Sequence, residues 1–333
     1  KSSVAVRVSP ETRRAIMATA REMGYQGSRS GLPGEGRLYR TIGILIPAIH
    51  SPFSATVADA FEREVLSLGY QCFACRTLYD EMHLVQYVER LLEHDVDGLL
   101  VLSILGDVEA EKGVRYAFER HLPMVLVDNV WKKSPAPLVC SDDHKGGRLL
   151  AEHLLQVGHR NFVFLGLSFQ DELASVQDRY DGFRQVLGEA GLADDALRRI
   201  SFESFDIMGL ADEVIPLLGK KDSPTVVVCT NDMTAAYLMA GLRERGLTVP
   251  EALAVTGYDD LNMMFYGAEG APWAEHFPLT MSLTTVHQPI CELGREAGRL
   301  LVRQIEHGDV PLDARRVFDV DLIVRNSSRL PVR

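Results

Sequence analysis

Short hydrogen-bonding side chains recur just after the apolar runs of this 333-residue sequence. They are Ala48-Ile49-His50-Ser51-Pro52-Phe53, Ser103, Asp128-Asn129, Asn231-Asp232 and Asp259-Asp260. Asn, Asp and Ser offer the compact donors and acceptors that a polyol or a base requires, and Phe53 offers a flat apolar face. Any one of these Asn or Asp residues also suits the cap of a following helix. Five such places together are better explained by one shared cleft, because ligands of open parallel sheets bind beyond the carboxyl ends of the strands.

Signatures of covalent and metal chemistry are missing. No GxGxxG follows an apolar run, and Gly219-Lys220 lacks the upstream glycine and the hydroxyl of a phosphate loop. Gly166-Leu167-Ser168 has no glycine at position 170 and so is not a nucleophile elbow. Cys72 and Cys75 form a CxxC, but on a strand they point to opposite faces, and no second pair exists. His144 beside Asp142 and Asp143 reads as a helix start. No metal, no cofactor and no enzymatic activity are expected.

The elements that position the polar residues alternate. Thr41–Pro47 is a continuous apolar run, as a strand covered on both faces should be. Val57, Phe61, Val65 and Leu68 then recur at helical spacing and stop at Gly69. Further strands are expected at 70–76, 98–103 and 123–128, with helices near 81–94 and 108–121. A second series has strands at 162–166, 225–230 and 252–257 and helices at 176–191, 207–218, 232–245 and 288–306. Repetition of this kind implies an α/β fold of two similar, doubly wound parallel-sheet lobes. Gly158-His159-Arg160 is the expected crossing between them, and 316–324 is expected to return the chain to the second lobe. The expected division is 1–40, then 41–159 with 287–313, then 160–286 with 314–333. Upstream, Ser9-Pro10 opens a helix with an apolar stripe at Ile16, Ala20 and Met23, and 27–36 is a Gly/Pro-rich linker.

Charge is uneven. The net charge of −11 combines a first 40 residues bearing eight Lys/Arg and three Asp/Glu with an acidic remainder. A basic segment can attract nucleic-acid phosphates that the body repels; on charge alone, a solvated terminus explains it as well. No apolar run approaches 18 residues, so no membrane-spanning helix is expected. Five scattered cysteines and no secretory-signal pattern point to a reducing, cytoplasmic setting.

The motifs converge on a family. VSPETRRAIMATAREMGY (8–25), TIGILIP…SPF (41–53), VDGLLVLS (96–103), PMVLVDN (123–129) and GHRNFVFLG (158–166) occur in order. SVQDRYDGF (175–183), TNDMTAAYLMAGLRERGLTVPEALAVTGYDD (230–260), LTTVHQP (283–289) and LVRQI (301–305) follow. Together they make the chain resemble the lac/gal repressor family of transcription regulators. The resemblance implies a helix-turn-helix headpiece, a hinge and a two-lobed, periplasmic-binding-protein-like core that binds a small polar effector such as a sugar. It also implies a homodimer on palindromic operator DNA. The competing reading is a periplasmic solute-binding protein of a transporter, with the same core, a secretory signal and a monomeric state.

Carried over residue by residue, Arg179 in SVQDRYDGF is the implied effector anchor. Asp142, Asn231, Asp259, Phe205 and Gln288 join it, beside His50, Phe53, Ser103 and Asp128 from the strand ends. Two departures stand out. Residues 8–25 match only the last headpiece helix, so this chain is expected to read bases poorly. At the hinge, the alanine, arginine and leucine positions fall on Gly31, Leu32 and Gly34, and Pro33 opposes a helix. Arg29, and Leu32 in a shifted register, remain the candidate DNA contacts. Ala48 stands where a polar ligand contact is common.

Overall fold

The computed structural model describes residues 38–48, 51–78, 81–102, 110–128, 136–203, 207–219, 223–261 and 282–331, together with Thr19. The linker at 27–36 and, apart from Thr19, the helix expected over 9–23 lie outside the described residues, and Arg29 and Leu32 with them.

The first apolar run becomes β1 (Thr41–Ile46), and the helical spacing after it becomes α1 (Pro52–Ser67). Ser51 caps that helix by accepting from the Ser54 N–H, and Pro52 fills the first turn, where no N–H is required. β2 (Gln71–Arg76), α2 (Glu81–Glu93), β3 (Gly98–Leu102), α3 (Ala110–Glu119), β4 (Met124–Val127) and β5 (Leu138–Ser141) follow. The second series comprises α4 (Asp143–Val157), β6 (Phe162–Leu167), α5 (Ala174–Glu189), β7 (Leu197–Phe202), α6 (Ile207–Val214), β8 (Val226–Cys229), α7 (Asp232–Glu244) and β9 (Ala254–Thr256). β10 (Thr285–His287), α8 (Ile290–His307), β11 (Arg315–Phe318) and β12 (Asp321–Ile323) complete the chain.

Two sheets result. The first has the order β11-β5-β4-β3-β1-β2 and is parallel throughout. α1 and α8 cover one face, through Phe61, Val65, Leu293 and Leu301; α2 and α3 cover the other, through Leu84, Val88, Val114 and Ala117. The second sheet, β7-β6-β8-β9, is also parallel. α4 and α5 cover one of its faces, and α6 and α7 the other. β10 and β12 pair antiparallel beside it, joined to the β9 side by bridges at Thr256–Thr284 and Asp259–His287. In each sheet the strand order reverses beside the first strand of its series, which places a crevice at the carboxyl ends of β1 and β3 and of β6 and β8.

Two of the sheet changes fall at places other than those expected, and the one at Gln288 falls where the resemblance put it. The first crossing is the single residue Asp142, because α4 packs on α5 and the second sheet. Gly158-His159-Arg160 is interior to that half: Gly158 closes α4 at φ +109°, and His159 is buried between the Thr225 hydroxyl and the Ser328 carbonyl. Residues 288–289 make the second crossing. The stretch 316–324 divides: β11 completes the first sheet beside β5, and only β12, after residues 319–320, joins the second half. The open backbone edge of β5 requires partners, and β11 supplies them.

Two helix pairs approach through glycine. A Cβ at Gly147 would lie 2.0 Å from the Arg179 carbonyl oxygen, and one at Gly182 would lie 2.1 Å from that of His144. These glycines press α4 and α5 together at the base of the crevice. Gly294 does the same for α8 against α1, 2.4 Å from the Val57 carbonyl oxygen.

Candidate functional site

Helix α5 carries Arg179 inward from its second turn, where it is 6% exposed. Its Nε–H donates to Asp143 Oδ1 at 2.7 Å, and its Nη1 donates to the Thr230 carbonyl at 2.8 Å. The guanidinium carbon lies 3.7 Å from the centroid of the Tyr258 ring. Nη2 makes no hydrogen bond among the described residues. The rigid fork is therefore aimed by one carboxylate, one carbonyl and one aromatic face.

Thr230 is itself held. Its hydroxyl donates to Gln170 Oε1 at 2.7 Å, and the same oxygen accepts the Leu167 N–H at 2.8 Å. The short 3₁₀ turn after β6 thus fixes the end of β8. Tyr258 precedes Asp259, whose backbone sits at φ +113°. The Asp259 N–H donates to the Val286 carbonyl, and its Oδ1 accepts from Gln288 Nε2 at 2.7 Å. Gln288, at the second crossing, ties β10 to the loop after β9.

The electrostatics follow from burial. Desolvation pushes the Asp143 carboxyl up while Arg179 pulls it down. Burial works against the Arg179 charge, but Asp143 and then Tyr258, Asp259 and Asp128 face it and raise its pKa, so it stays cationic. Asp259 is held well above the usual carboxylate range by burial, with Arg179 opposing. Asp232 is pushed up to about 7 by burial, although Thr285 Oγ1 donates to its Oδ1 at 2.6 Å and the Leu261 N–H to its Oδ2 at 2.8 Å. Asp143 Oδ2, Tyr258 Oη and Gln288 Oε1 are buried without a hydrogen bond of good geometry. Tyr258 and Asp143 nevertheless lie close enough to feel each other's charge.

The candidates fall into four groups. Arg179, Asp259, Gln288 and Asp128 converge; Asp128 sits at the end of β4 with φ +60°, buried, within electrostatic reach of Arg179 and Asp259. Asp142 and Asn231 cap helices: Asp142 accepts the Lys145 N–H at 2.9 Å and Asn231 the Thr234 N–H at 2.8 Å. Phe53 lies at the start of α1, partly buried against the core beneath β1. His50, Ser103 and Phe205 lie outside the described residues. Sequence reasoning missed Asp143, Tyr258, Thr230 and Gln170. Asp143 was visible only as the neighbour of Asp142, and spacing alone does not tell which of two adjacent carboxylates caps and which turns inward.

The two thiols of the CxxC belong to separate cores, Cys72 on the α1 and α8 side of the sheet and Cys75 on the α2 and α3 side. Burial pushes Cys72 up to about 12, so it is a packing residue rather than a nucleophile.

Comparisons with known proteins agree with this architecture. Residues 151–328 match the family model described as a periplasmic binding protein-like domain. A transcriptional repressor of Vibrio campbellii, PurR of the helix-turn-helix type, is 30% identical over 96% of this chain and 90% of its own length. A LacI family transcriptional regulator of Enterococcus faecium, solved with bound ribose, superposes with a TM-score of 0.72 at 25% identity over 88% of this chain and all of that one. The regulator CelR in complex with cellobiose gives a TM-score of 0.69 at 26% identity, covering 96% of this chain and 92% of that one. On its motifs, its two parallel sheets and these likenesses, the chain belongs to the LacI/GalR (lac/gal repressor) family of ligand-responsive transcriptional regulators.

Proposed function

We propose that this regulator binds a small, neutral, hydroxyl-rich effector between its two sheets and couples that binding to operator DNA. The carrying observation is Arg179, buried and aimed by Asp143, Thr230 and Tyr258, with Asp259–Gln288 and Asp128 beside it. Nη2 supplies donors and Asp259 supplies acceptors, the pairing that neighbouring hydroxyls satisfy. Relatives solved with ribose and with cellobiose support a sugar-like ligand. Phe53, Asp142, Asn231, His50, Ser103 and Phe205 are its further proposed contacts.

DNA is bound through the N-terminal segment, with Arg29 and Leu32 as proposed contacts, and the protein acts in the cytoplasm without catalysis. Two copies pair along the β2 edge, where Leu66, Leu68, Phe73, Leu78 and Met82 are exposed. The likeness to a helix-turn-helix repressor over 96% of this chain favours this reading over a solute-binding protein of a transporter.

A thermal-shift screen of sugars, polyols, nucleosides and sugar acids tests the effector class. A ligand at about 100 times its dissociation constant adds about 2.7 kcal/mol, several degrees for a chain of this size at about 2–4 °C per kcal/mol. A shift from a neutral polyol that is lost in Asp259→Asn supports the site. Shifts from sugar acids alone contradict the proposed class. Absence of salt-dependent, sequence-selective DNA binding by the full-length protein overturns the regulatory reading.

A further inference from the structure

The first sheet opens through a residue in an uncommon conformation. Arg40 has φ +55°, in the left-handed region that non-glycine residues keep only where their surroundings hold them. Its Nη1 donates to the Leu68 carbonyl at 3.2 Å and lies 3.8 Å from Glu306 Oε1. Its guanidinium sits 5.3 Å from the centroid of the Tyr70 ring. Tyr70 is fully buried, and its hydroxyl donates to the same Glu306 oxygen at 3.3 Å. Burial, then Glu306, pushes that hydroxyl up to about 12, so it remains a neutral donor. The turn leaves the guanidinium room: a Cβ at Gly69 would come within 3.2 Å of Nη1.

The backbone on either side is held as firmly. The Tyr39 and Thr41 N–H groups both donate to the buried Asp97 carboxylate, at 3.3 and 3.2 Å. The Arg40 carbonyl accepts from the Gln71 N–H at 2.8 Å.

The side-chain partners of Arg40 stand at the far ends of two helices whose near ends border the crevice. α1 starts after its cap Ser51, carries Phe53 in its first turn and is closed by Leu68; α8 begins beyond Gln288 and carries Glu306 in its last turn. Each is about 25 Å long at 1.5 Å per residue. The glycine contacts at Gly294 and Gly298 hold the pair in close register.

We propose that Arg40 is a positioning residue: a latch that fixes the chain's exit from the core to the ends of α1 and α8, so that a rearrangement at Phe53 or Gln288 reaches Leu38–Arg40. The latch stands on its own geometry; its link to the crevice rests on the functional reading above. Native-state hydrogen exchange of the Thr41 and Gln71 amides tests both, with Val227 in β8 as the reference. Arg40→Ala speeds exchange at Thr41 and Gln71 by about tenfold or more while Val227 is unchanged, and Arg40→Lys restores part of the protection. Unchanged exchange in Arg40→Ala overturns the latch. Gln288→Ala speeds the same two amides in the wild-type background and adds nothing when Arg40 is already Ala. Equal effects in the two backgrounds overturn the coupling. Gln288→Ala also removes a buried partner of Asp259, so Phe53→Leu is the second perturbation, and its comparison across the two backgrounds decides the same question if Val227 loosens. No effector enters this experiment, so a failed ligand screen and a failed latch are distinguishable.

Discussion

Arg179 cannot be truncated as a simple binding probe. Its removal strands the Asp143 carboxylate, 2% exposed, without its counter-charge. Breaking a buried pair this way costs about 3–5 kcal/mol of stability, so Arg179→Ala is expected to lower the urea midpoint well before any ligand is added. A midpoint equal to wild type would show that the pair contributes nothing. Asp259→Asn is the cleaner probe. Asn keeps the side chain's size and the acceptor of the Gln288 amide and tolerates the φ of +113°, but turns the second carboxyl oxygen into a donor; stability should hold within about 1 kcal/mol while a ligand shift that needs that oxygen as acceptor vanishes. The raised carboxyls also set a pH dependence. Asp232, at about 7 in the folded protein against 3.8 for the ordinary side chain, binds its proton more tightly when folded. Stability is therefore greatest at acidic pH with respect to this group and falls as pH rises towards 7. Asp143 and Asp259 are shifted in the same direction. Urea midpoints at pH 5.5 and 8 should differ in that sense, and Asp232→Asn should flatten the difference.

Close helix contacts make sharper predictions for the elements. Gly147→Ala places a methyl group 2.0 Å from the Arg179 carbonyl oxygen, whereas at Gly298 the nearest atom is a movable Val65 methyl at 3.1 Å. Gly147→Ala should cost about 1–3 kcal/mol through overpacking. Gly298→Ala should be near neutral, because Ala favours a helix by about 1 kcal/mol over Gly. Thermal unfolding of the two variants ranks them; equal Tm values would contradict the close approach of α4 and α5. The elements also show what a single sequence reveals. β1, β3, β6 and β8 were legible because strands covered on both faces are apolar without interruption. β7 (LRRISF) was not, because it is a sheet edge whose arginines and Ser201 are half-exposed or exposed. β10 was too short to carry a pattern, and β5 follows a Pro-rich stretch that reads as loop. The helix ends at Asp142 and Asn231 were readable as caps. The inward turn of Asp143 and the stacking of Tyr258 arise only when α4 and α5 meet, which no local pattern encodes.

For the whole molecule, the exposed apolar side chains along the β2 edge predict self-association. Phe73→Glu should convert a dimer to a monomer in sedimentation at unchanged Tm; a wild type that sediments as a monomer would remove this interface. The acidic body and basic N-terminal segment predict DNA affinity that falls steeply with salt.

The three crossings have a mechanical consequence. They consist of one residue (Asp142), two residues (288–289) and two residues (319–320). At about 3.5 Å per residue, none lets the halves draw apart by more than a few ångströms. Opening of the crevice must therefore be a swing about the line of these short straps. Residues far from that line travel furthest, and backbone beside it, such as the Asp142–Lys145 turn, travels least. Cross-linking across the straps should leave the swing intact, while cross-linking across the distant lip of the crevice should abolish it.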